Sequence, residues 1–306
     1  MLRSAILAAS RNTRVKAVVA GAPLSRSVVR RFVSGESVED AVRTTQDLQS
    51  RGLQVSLDHL GEDTLDAGQA ESTVKAYLVL LDRLAAAGLT AGGRVEVSVK
   101  LTAVGQAIDP QLAVANAHTI CHAARAAGTT VTVDMEDHTT TDATLEAVRE
   151  LRRDHPRTGA VVQAYLHRTE ADCRDLATVG SRVRLCKGAY REPASVAYQS
   201  ASEVDRSYIR CLKVLMAGEG YPMVATHDPR LVAIAGALAR GREQGSYEYQ
   251  LLLGIRPHEQ ERLARAGETV RVYVPYGDEW YGYLMRRLAE RPANLAFFLR
   301  ALASRS

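Results

Sequence analysis

Ten residues near the C-terminal end, Tyr281-Gly-Tyr-Leu-Met-Arg-Arg-Leu-Ala-Glu290, carry side chains suited to holding an anion. On a helix, residues three and four apart share a face. Tyr281, Leu284, Met285 and Leu288 therefore form one apolar stripe. Tyr283, Arg286, Arg287 and Glu290 repeat the same spacing two residues on, about 200° around the helix. One face can pack on the protein while the other presents a phenol, two guanidiniums and a carboxylate. Adjacent arginines suit a planar anion such as a carboxylate, which accepts two parallel N–H bonds. Glu290 stands four residues from Arg286 and can orient it. The alternative for this stretch is a solvated helix face with one weak ion pair.

The chain that must position these groups has 306 residues and 46% hydrophobic content. This suits one large domain or two small ones. A net charge of only +4 argues against a nucleic-acid partner. Cys121, Cys173, Cys186 and Cys211 form no CxxC pair and read as reduced thiols of a cytoplasmic protein. No apolar run approaches the ~18 residues of a membrane span. Residues 1–35 hold seven Lys or Arg and no Asp or Glu. That pattern is expected to form N-terminal helices packed on the main domain, with peripheral contact to the inner face of a membrane as the second reading. Residues 1–52 are taken as this helical segment and 53–306 as the catalytic unit. Within the segment, residues 36–52 read as a helix that stops at Gly52.

From there short β-rich runs alternate with helical patterns. Strands are expected at 54–60, 95–100, 130–135, 160–165, 182–187, 221–226, 247–252 and 271–275. Helices are expected at 71–88, 111–127, 142–153, 195–218, 229–240 and 257–266, with a shorter one inside 166–181. Eight strand–helix alternations predict an α/β fold, a (β/α)8 barrel of the TIM type, with N-terminal helices and a final helix capping the C-terminal mouth. A doubly wound sheet would call for a glycine-rich phosphate turn, and no GxGxxG or P-loop is present.

Barrel chemistry sits at the C-terminal ends of strands. The polar residues there are Asp58, His59, Lys100, Asp134, Glu136, Gln163, Arg184, Lys187, Thr226, His227, Gln250 and Tyr273. The loop at 276–280 is short enough to lay the arginine-bearing helix over this mouth. Lys187-Gly-Ala-Tyr190, with Arg184, offers a close backbone approach and positive charge for phosphate, or simply a glycine turn. Asp134-Met-Glu-Asp137 lacks the histidine spacing of a metal site, so no metal is expected. A Schiff-base role for Lys100 or Lys187 on the same barrel is the main alternative chemistry.

Taken together, these stretches resemble the proline dehydrogenase family, flavin-dependent enzymes that begin proline catabolism. Tyr283-Leu-Met-Arg-Arg-Leu-Ala-Glu290 is similar to the family's YxxRRLxE signature. Val97-Ser-Val-Lys-Leu-Thr, Asp134-Met-Glu-Asp, Val162-Gln-Ala-Tyr, Arg184-Leu-Cys-Lys-Gly-Ala-Tyr, Ala225-Thr-His and Arg271-Val-Tyr-Val-Pro follow in family order. The resemblance spans roughly residues 54–295 and implies a set of roles. Lys100, Arg286 and Arg287 would bind the carboxylate of L-proline, with Tyr273 beside the ring and Glu290 orienting an arginine. Asp134 and Arg184 would stand by the reacting centre. Met135, Gln163, Arg184, Lys187, Gly188, Ala189, Thr226 and His227 would hold FAD. The implied reaction is hydride transfer from proline C5 to FAD N5, giving Δ1-pyrroline-5-carboxylate, with electrons passing on to a quinone. The chain has no room for the DNA-binding module or aldehyde dehydrogenase domain of the bifunctional members. It therefore reads as monofunctional, with a separate pyrroline-5-carboxylate dehydrogenase as a partner. Cys186 departs from the family pattern, though a small hydrophobe there is compatible with packing.

Overall fold

The computed structural model describes residues 29 and 31–290, the last five by their backbone alone. Eight parallel strands close into a barrel in chain order, with the last paired to the first. They are β1 (Gln54–His59), β2 (Val95–Val99), β3 (Val131–Val133), β4 (Gly159–Gln163), β5 (Arg182–Cys186), β6 (Tyr221–Ala225), β7 (Glu248–Leu252) and β8 (Val270–Tyr276). Helix α1 (Val38–Ser50) precedes the barrel. Helices α2 (Ala67–Ala86), α3 (Pro110–Ala126), α4 (Thr141–Asp154), α5 (Thr169–Leu176), α6 (Ala201–Ala217), α7 (Pro229–Leu238) and α8 (Pro257–Arg265) follow strands β1 to β7, and α9 (Trp280–Glu290) follows β8. The expected (β/α)8 barrel with a final helix after the eighth strand is thus the observed fold.

Local chemistry explains where the helices begin. Asp66, Asp109 and Asp228 cap α2, α3 and α7 by accepting a backbone N–H of the first turn, and Pro110 and Pro229 open the latter two. Ser37 with Asp40 and Ser200 with Glu203 form reciprocal capping boxes on α1 and α6. The second box explains one difference from expectation. The helix expected from 195 starts only at Ala201, which leaves residues 187–200 as a loop at the C-terminal ends of the strands. β3 also ends two residues earlier than expected, at Val133, so Asp134 and Glu136 lie beyond the strand.

The strands alternate. Val55, Leu57, Val95, Val97, Val99, Val183, Leu185, Leu251, Val270 and Val272 belong to the main apolar core, with helix residues such as Leu80, Leu84, Ile120, Leu151 and Leu212. Burying each such side chain contributes about 1.5–3 kcal/mol. The intervening positions face the lumen, and most are polar. Glu96 pairs with Arg182 at 2.6 Å and Arg184 at 3.1 Å, and Glu248 pairs with Arg271 at 2.8 Å. Burial alone would raise the Glu96 carboxyl, but Arg182, Arg271 and Arg184 together hold it well below the usual range. Stability therefore resides in the layer between strands and helices, while the lumen is a charged scaffold that fixes side-chain positions.

A second apolar cluster anchors the last helix. Phe32, Val33, Leu60 and Ile255 pack with Trp280, Tyr281, Tyr283, Leu284 and Met285. Ser34 N–H donates to the Pro275 carbonyl at 3.0 Å, Gly277 N–H to that of Gly35 at 3.0 Å, and Trp280 Nε1 to Glu36 at 2.8 Å. The segment before α1 is thereby stitched to the start of α9. Among the described residues, no helix is long and apolar enough to cross a membrane. The basic stretch 1–28 lies outside the described residues.

Candidate active site

A cavity of about 700 Å³ opens at the C-terminal ends of the strands. Its wall includes Lys100, Asp134, Met135, Gln163, Arg184, Lys187, Gly188, Ala189, Thr226, His227 and Tyr273, so these nominated residues meet in one place. Of the strand-end residues only His59 and Glu136 stand outside the wall. The His59 ring packs on Tyr276 at 5.1 Å and Tyr77 at 6.0 Å. α9 reaches the cavity through Tyr283, which is buried rather than presented to solvent. The side chains of Arg286, Arg287 and Glu290 lie outside the described residues, although their backbone continues α9.

Asp134 and Arg184 form the most heavily bonded part. Arg184 has five N–H donors, and every one is used. Nε donates to Gln250, Nη1 to Ser98 Oγ (2.9 Å) and Asp134, and Nη2 to Ser56 Oγ (3.2 Å) and Glu96 (3.1 Å). Asp134 also accepts from Ser98 Oγ at 2.8 Å and from the Tyr273 hydroxyl at 2.8 Å. The Arg184 guanidinium lies 5.3 Å from the Tyr273 ring centroid. With its donors taken, Arg184 meets a ligand as a fixed, buried positive charge. Tyr273 is the fourth residue of the seven-residue β8, one place deeper from its C-terminal end than a five-residue strand ending at Pro275 would set it.

Lys100, just past β2, points its ammonium at both oxygens of Asp58, 2.7 Å from each. Burial would lower its pKa, but the charges of Asp58 and Asp134 outweigh burial and raise it. A Schiff base needs a neutral amine; Lys100 is instead a durable cation. Lys187 is likewise paired, with Asp205 at 2.6 Å and Asp228 at 3.2 Å. No group of three or more His, Cys, Asp or Glu side chains among the described residues is arranged to hold a metal ion.

Glu136 turns away from Asp134 to the neighbouring wall, accepting from Thr102 Oγ1 at 2.6 Å and Thr102 N–H at 3.2 Å. Strand alternation would set the two carboxylates on one side, but it does not apply where the strand has ended. Burial pushes the Glu136 carboxyl up to about 7, against the pull of Thr102 and Lys100. A raised carboxyl pKa means the folded state keeps a proton that the unfolded chain loses near its ordinary value of about 4.3. The associated stability is complete below that value and lost as pH rises to about 7. Glu136→Gln should therefore raise the thermal midpoint at pH 8 and confer little or no advantage at pH 5. An equal shift at both pH values would show that Glu136 is not the titrating group.

The opposite end of the cavity has different chemistry. Thr226, His227, Asp228 and Pro229 bring it to the N-terminus of α7, with Lys187 beside it. Met135, Val161, Ala189, Ala225, Leu251 and Leu252 add apolar surface to the same wall. A largely apolar cavity of this volume, with a cation and a helix N-terminus in its wall, fits a large planar cofactor with a phosphate tail. Gly188 is required where it stands. Its φ is +118°, and a β-carbon there would lie 2.3 Å from the Tyr165 ring.

Several wall or support residues carry no motif that marks them in the sequence. Asp58 and Gln250 read from sequence only as strand-end polar groups, whereas the structure pairs them with Lys100 and Arg184; Glu96, Arg182, Glu248 and Arg271 form a network that only barrel closure assembles. Their signal was present as period-two polarity, for example Glu96-Val-Ser98-Val-Lys100 and Arg182-Val-Arg184.

Known proteins share this sequence and fold. A family model described as proline dehydrogenase matches residues 41–300. Proline dehydrogenase 1 of Bacillus subtilis is 36% identical over 304 residues, which cover 99% of this chain and 99% of that protein. Proline dehydrogenase of Deinococcus radiodurans is 38% identical over 285 residues, covering 90% of each chain. Among solved structures, proline utilization A of Bdellovibrio bacteriovorus, inactivated by N-propargylglycine, matches with a TM-score of 0.79 at 25% identity. That match covers 86% of this chain but 32% of the longer one, so this chain corresponds to about a third of it. The near full-length matches to monofunctional relatives, on a barrel with this cavity at its mouth, establish that this chain belongs to the proline dehydrogenase family.

Proposed function

We propose that this protein oxidises L-proline to Δ1-pyrroline-5-carboxylate with FAD as its cofactor. The observation that carries the proposal is the continuity of one cavity from Lys100, Asp134 and Tyr273 to the Lys187–Ala189 turn and the start of α7. Met135, Gln163, Lys187, Gly188, Ala189, Thr226 and His227 would hold the cofactor, with Arg184 as the charge beside it. When bound, FAD supplies a two-electron acceptor, at its N5, for the hydride that leaves proline C5. The chain supplies position and electrostatics. Lys100, Arg286 and Arg287 fix the substrate carboxylate, and Glu290 orients one arginine. Tyr273, tethered by its hydroxyl to Asp134, forms the wall against the ring. The paired Asp134 and Arg184 set the field at the reacting carbon, and burial of both strengthens it. Oxidation removes a hydride from C5 and a proton from nitrogen, leaving a C=N bond.

Substrate discrimination tests this assignment. Proline and 4-hydroxyproline share the carboxylate and amine, so the cationic groups cannot separate them, whereas volume at Tyr273 can. Wild type should strongly prefer proline. Tyr273→Ser should lower kcat/KM for proline and raise the hydroxyproline-to-proline ratio, by an amount of the order of 1–3 kcal/mol. Steady-state kinetics of both proteins on both substrates decides the matter. Equal use of both substrates by wild type, or an unchanged ratio in the variant, would remove Tyr273 from the substrate.

The electron acceptor in this reading is a quinone, reached by peripheral contact with the inner face of a membrane through the basic residues 1–35. A separate pyrroline-5-carboxylate dehydrogenase is the partner that consumes the product. Removal of the basic segment should weaken binding to anionic vesicles at low salt and leave dye-coupled activity intact.

A further inference from the structure

Resting on the flavin reading above, we propose that Glu192 is a positioning residue that clasps together two walls of the cofactor end of the cavity. Glu192 lies in the 187–200 loop, and among the described residues its carboxylate hydrogen-bonds to His138 and Tyr165, neither of them a nominated substrate or cofactor residue. It is 8% exposed, and its carboxylate is spent on neighbours from two other strand loops. It accepts from the His138 backbone N–H at 3.0 Å, binds His138 Nδ1, and accepts from the Tyr165 hydroxyl at 3.2 Å.

Those contacts matter because of what each loop carries. The loop after β5 supplies Lys187, Gly188, Ala189 and Tyr190 to the cavity wall, and the loop after β3 supplies Asp134 and Met135. Backbone bonds already pin the β5 loop to the β4 loop. Tyr165 N–H donates to Lys187 at 2.9 Å, Tyr198 N–H to Tyr165 at 2.8 Å and His167 N–H to Val196 at 2.9 Å. The Glu192 carboxylate extends this attachment to the β3 loop, through His138. It also fixes the Tyr165 ring, the surface against which Gly188 is packed too closely for any β-carbon. Burial and the Glu192 charge raise the Tyr165 pKa, so the phenol stays a donor in this arrangement. Loss of the carboxylate leaves buried donors unmatched and frees the two loops to move relative to each other.

The test is FAD affinity, measured by fluorescence quenching as apoprotein is titrated, for wild type, Glu192→Ala and Glu192→Gln. The alanine variant should bind FAD about ten- to a hundredfold more weakly, the range expected for loss of hydrogen bonds to a charged group. Glutamine keeps an acceptor of similar shape and should recover most of that loss. The KM for proline at saturating FAD should move far less than the FAD dissociation constant. An alanine variant with wild-type FAD affinity would overturn the proposal. So would equal losses in both variants matched by an equal fall in the apoprotein's thermal midpoint, since that marks a residue that only holds the fold. Should alanine fail to fold, Tyr165→Phe, which removes the hydroxyl that donates to Glu192, decides: it should weaken FAD binding while the glutamine variant stays near wild type, and wild-type affinity in Tyr165→Phe overturns the proposal. Wild type that takes up no FAD at all sinks the flavin reading itself, a separate result from any difference between variants.

Discussion

Lys100→Met should destabilise the protein by about 3–5 kcal/mol, the usual consequence of removing one partner of a buried ion pair. Asp58 is 1% exposed and gives both oxygens to the Lys100 ammonium at 2.7 Å. Without Lys100 that carboxylate is left uncompensated beside Asp134, which already raises its pKa in the same sense as burial. Asp58 should then take up a proton at neutral pH. The informative comparison is with the double variant Lys100→Met/Asp58→Asn. Removing both charges should recover most of the stability, because a buried pair replaced as a unit is often close to neutral. It should not recover proline binding, because the cation is still missing. Thermal unfolding and proline KM, measured on both variants, separate the two roles. Recovery of KM together with stability would show that Lys100 is structural and does not meet the substrate.

Arg286→Ala and Arg287→Ala should each lower kcat/KM for proline by a factor of roughly 30 to several thousand. This corresponds to about 2–5 kcal/mol for truncating one side of a desolvated charged hydrogen bond. Flavin content should stay normal, since the nominated cofactor residues sit on β3 to β6 and their loops. The start of α9 is anchored independently of these arginines, by Trp280, Tyr281 and Leu284 against Phe32 and Val33. Near-normal kinetics in both variants would return this stripe to a solvated helix face.

The barrel was legible because most strands combine β-branched residues with period-two alternation, β7 using Tyr249 and Leu251 instead, and the crossovers show helical spacing. The helix starts expected from these patterns agree with the observed ones within a few positions, α6 excepted. Part of the loop at 187–200 reads as helix because its alanine and valine content suits one, while Ser200 and Glu203 start α6 later. The cavity wall was legible where short motifs carry chemistry, as at Lys100, Asp134, Arg184 and Lys187. What spacing could not reveal were pairs closed only by the barrel. Lys100 meets Asp58 across 42 residues, Arg184 meets Glu96 across 88, and Tyr273 meets Asp134 across 139. The stitch between Ser34 and Pro275, 241 residues apart, is of the same kind. Helical geometry puts Tyr283 on a ligand-facing stripe, but its burial in the second core depends on the segment before α1, which periodicity alone does not place.

In this reading one cavity brings proline and FAD together. Its most direct test is the absorbance of the purified, FAD-loaded protein under anaerobic conditions as L-proline is added. The visible absorption band of oxidised flavin should be lost, with one flavin reduced for each proline consumed and Δ1-pyrroline-5-carboxylate appearing in equal amount. A protein that takes up FAD yet keeps its oxidised spectrum at saturating proline would contradict it.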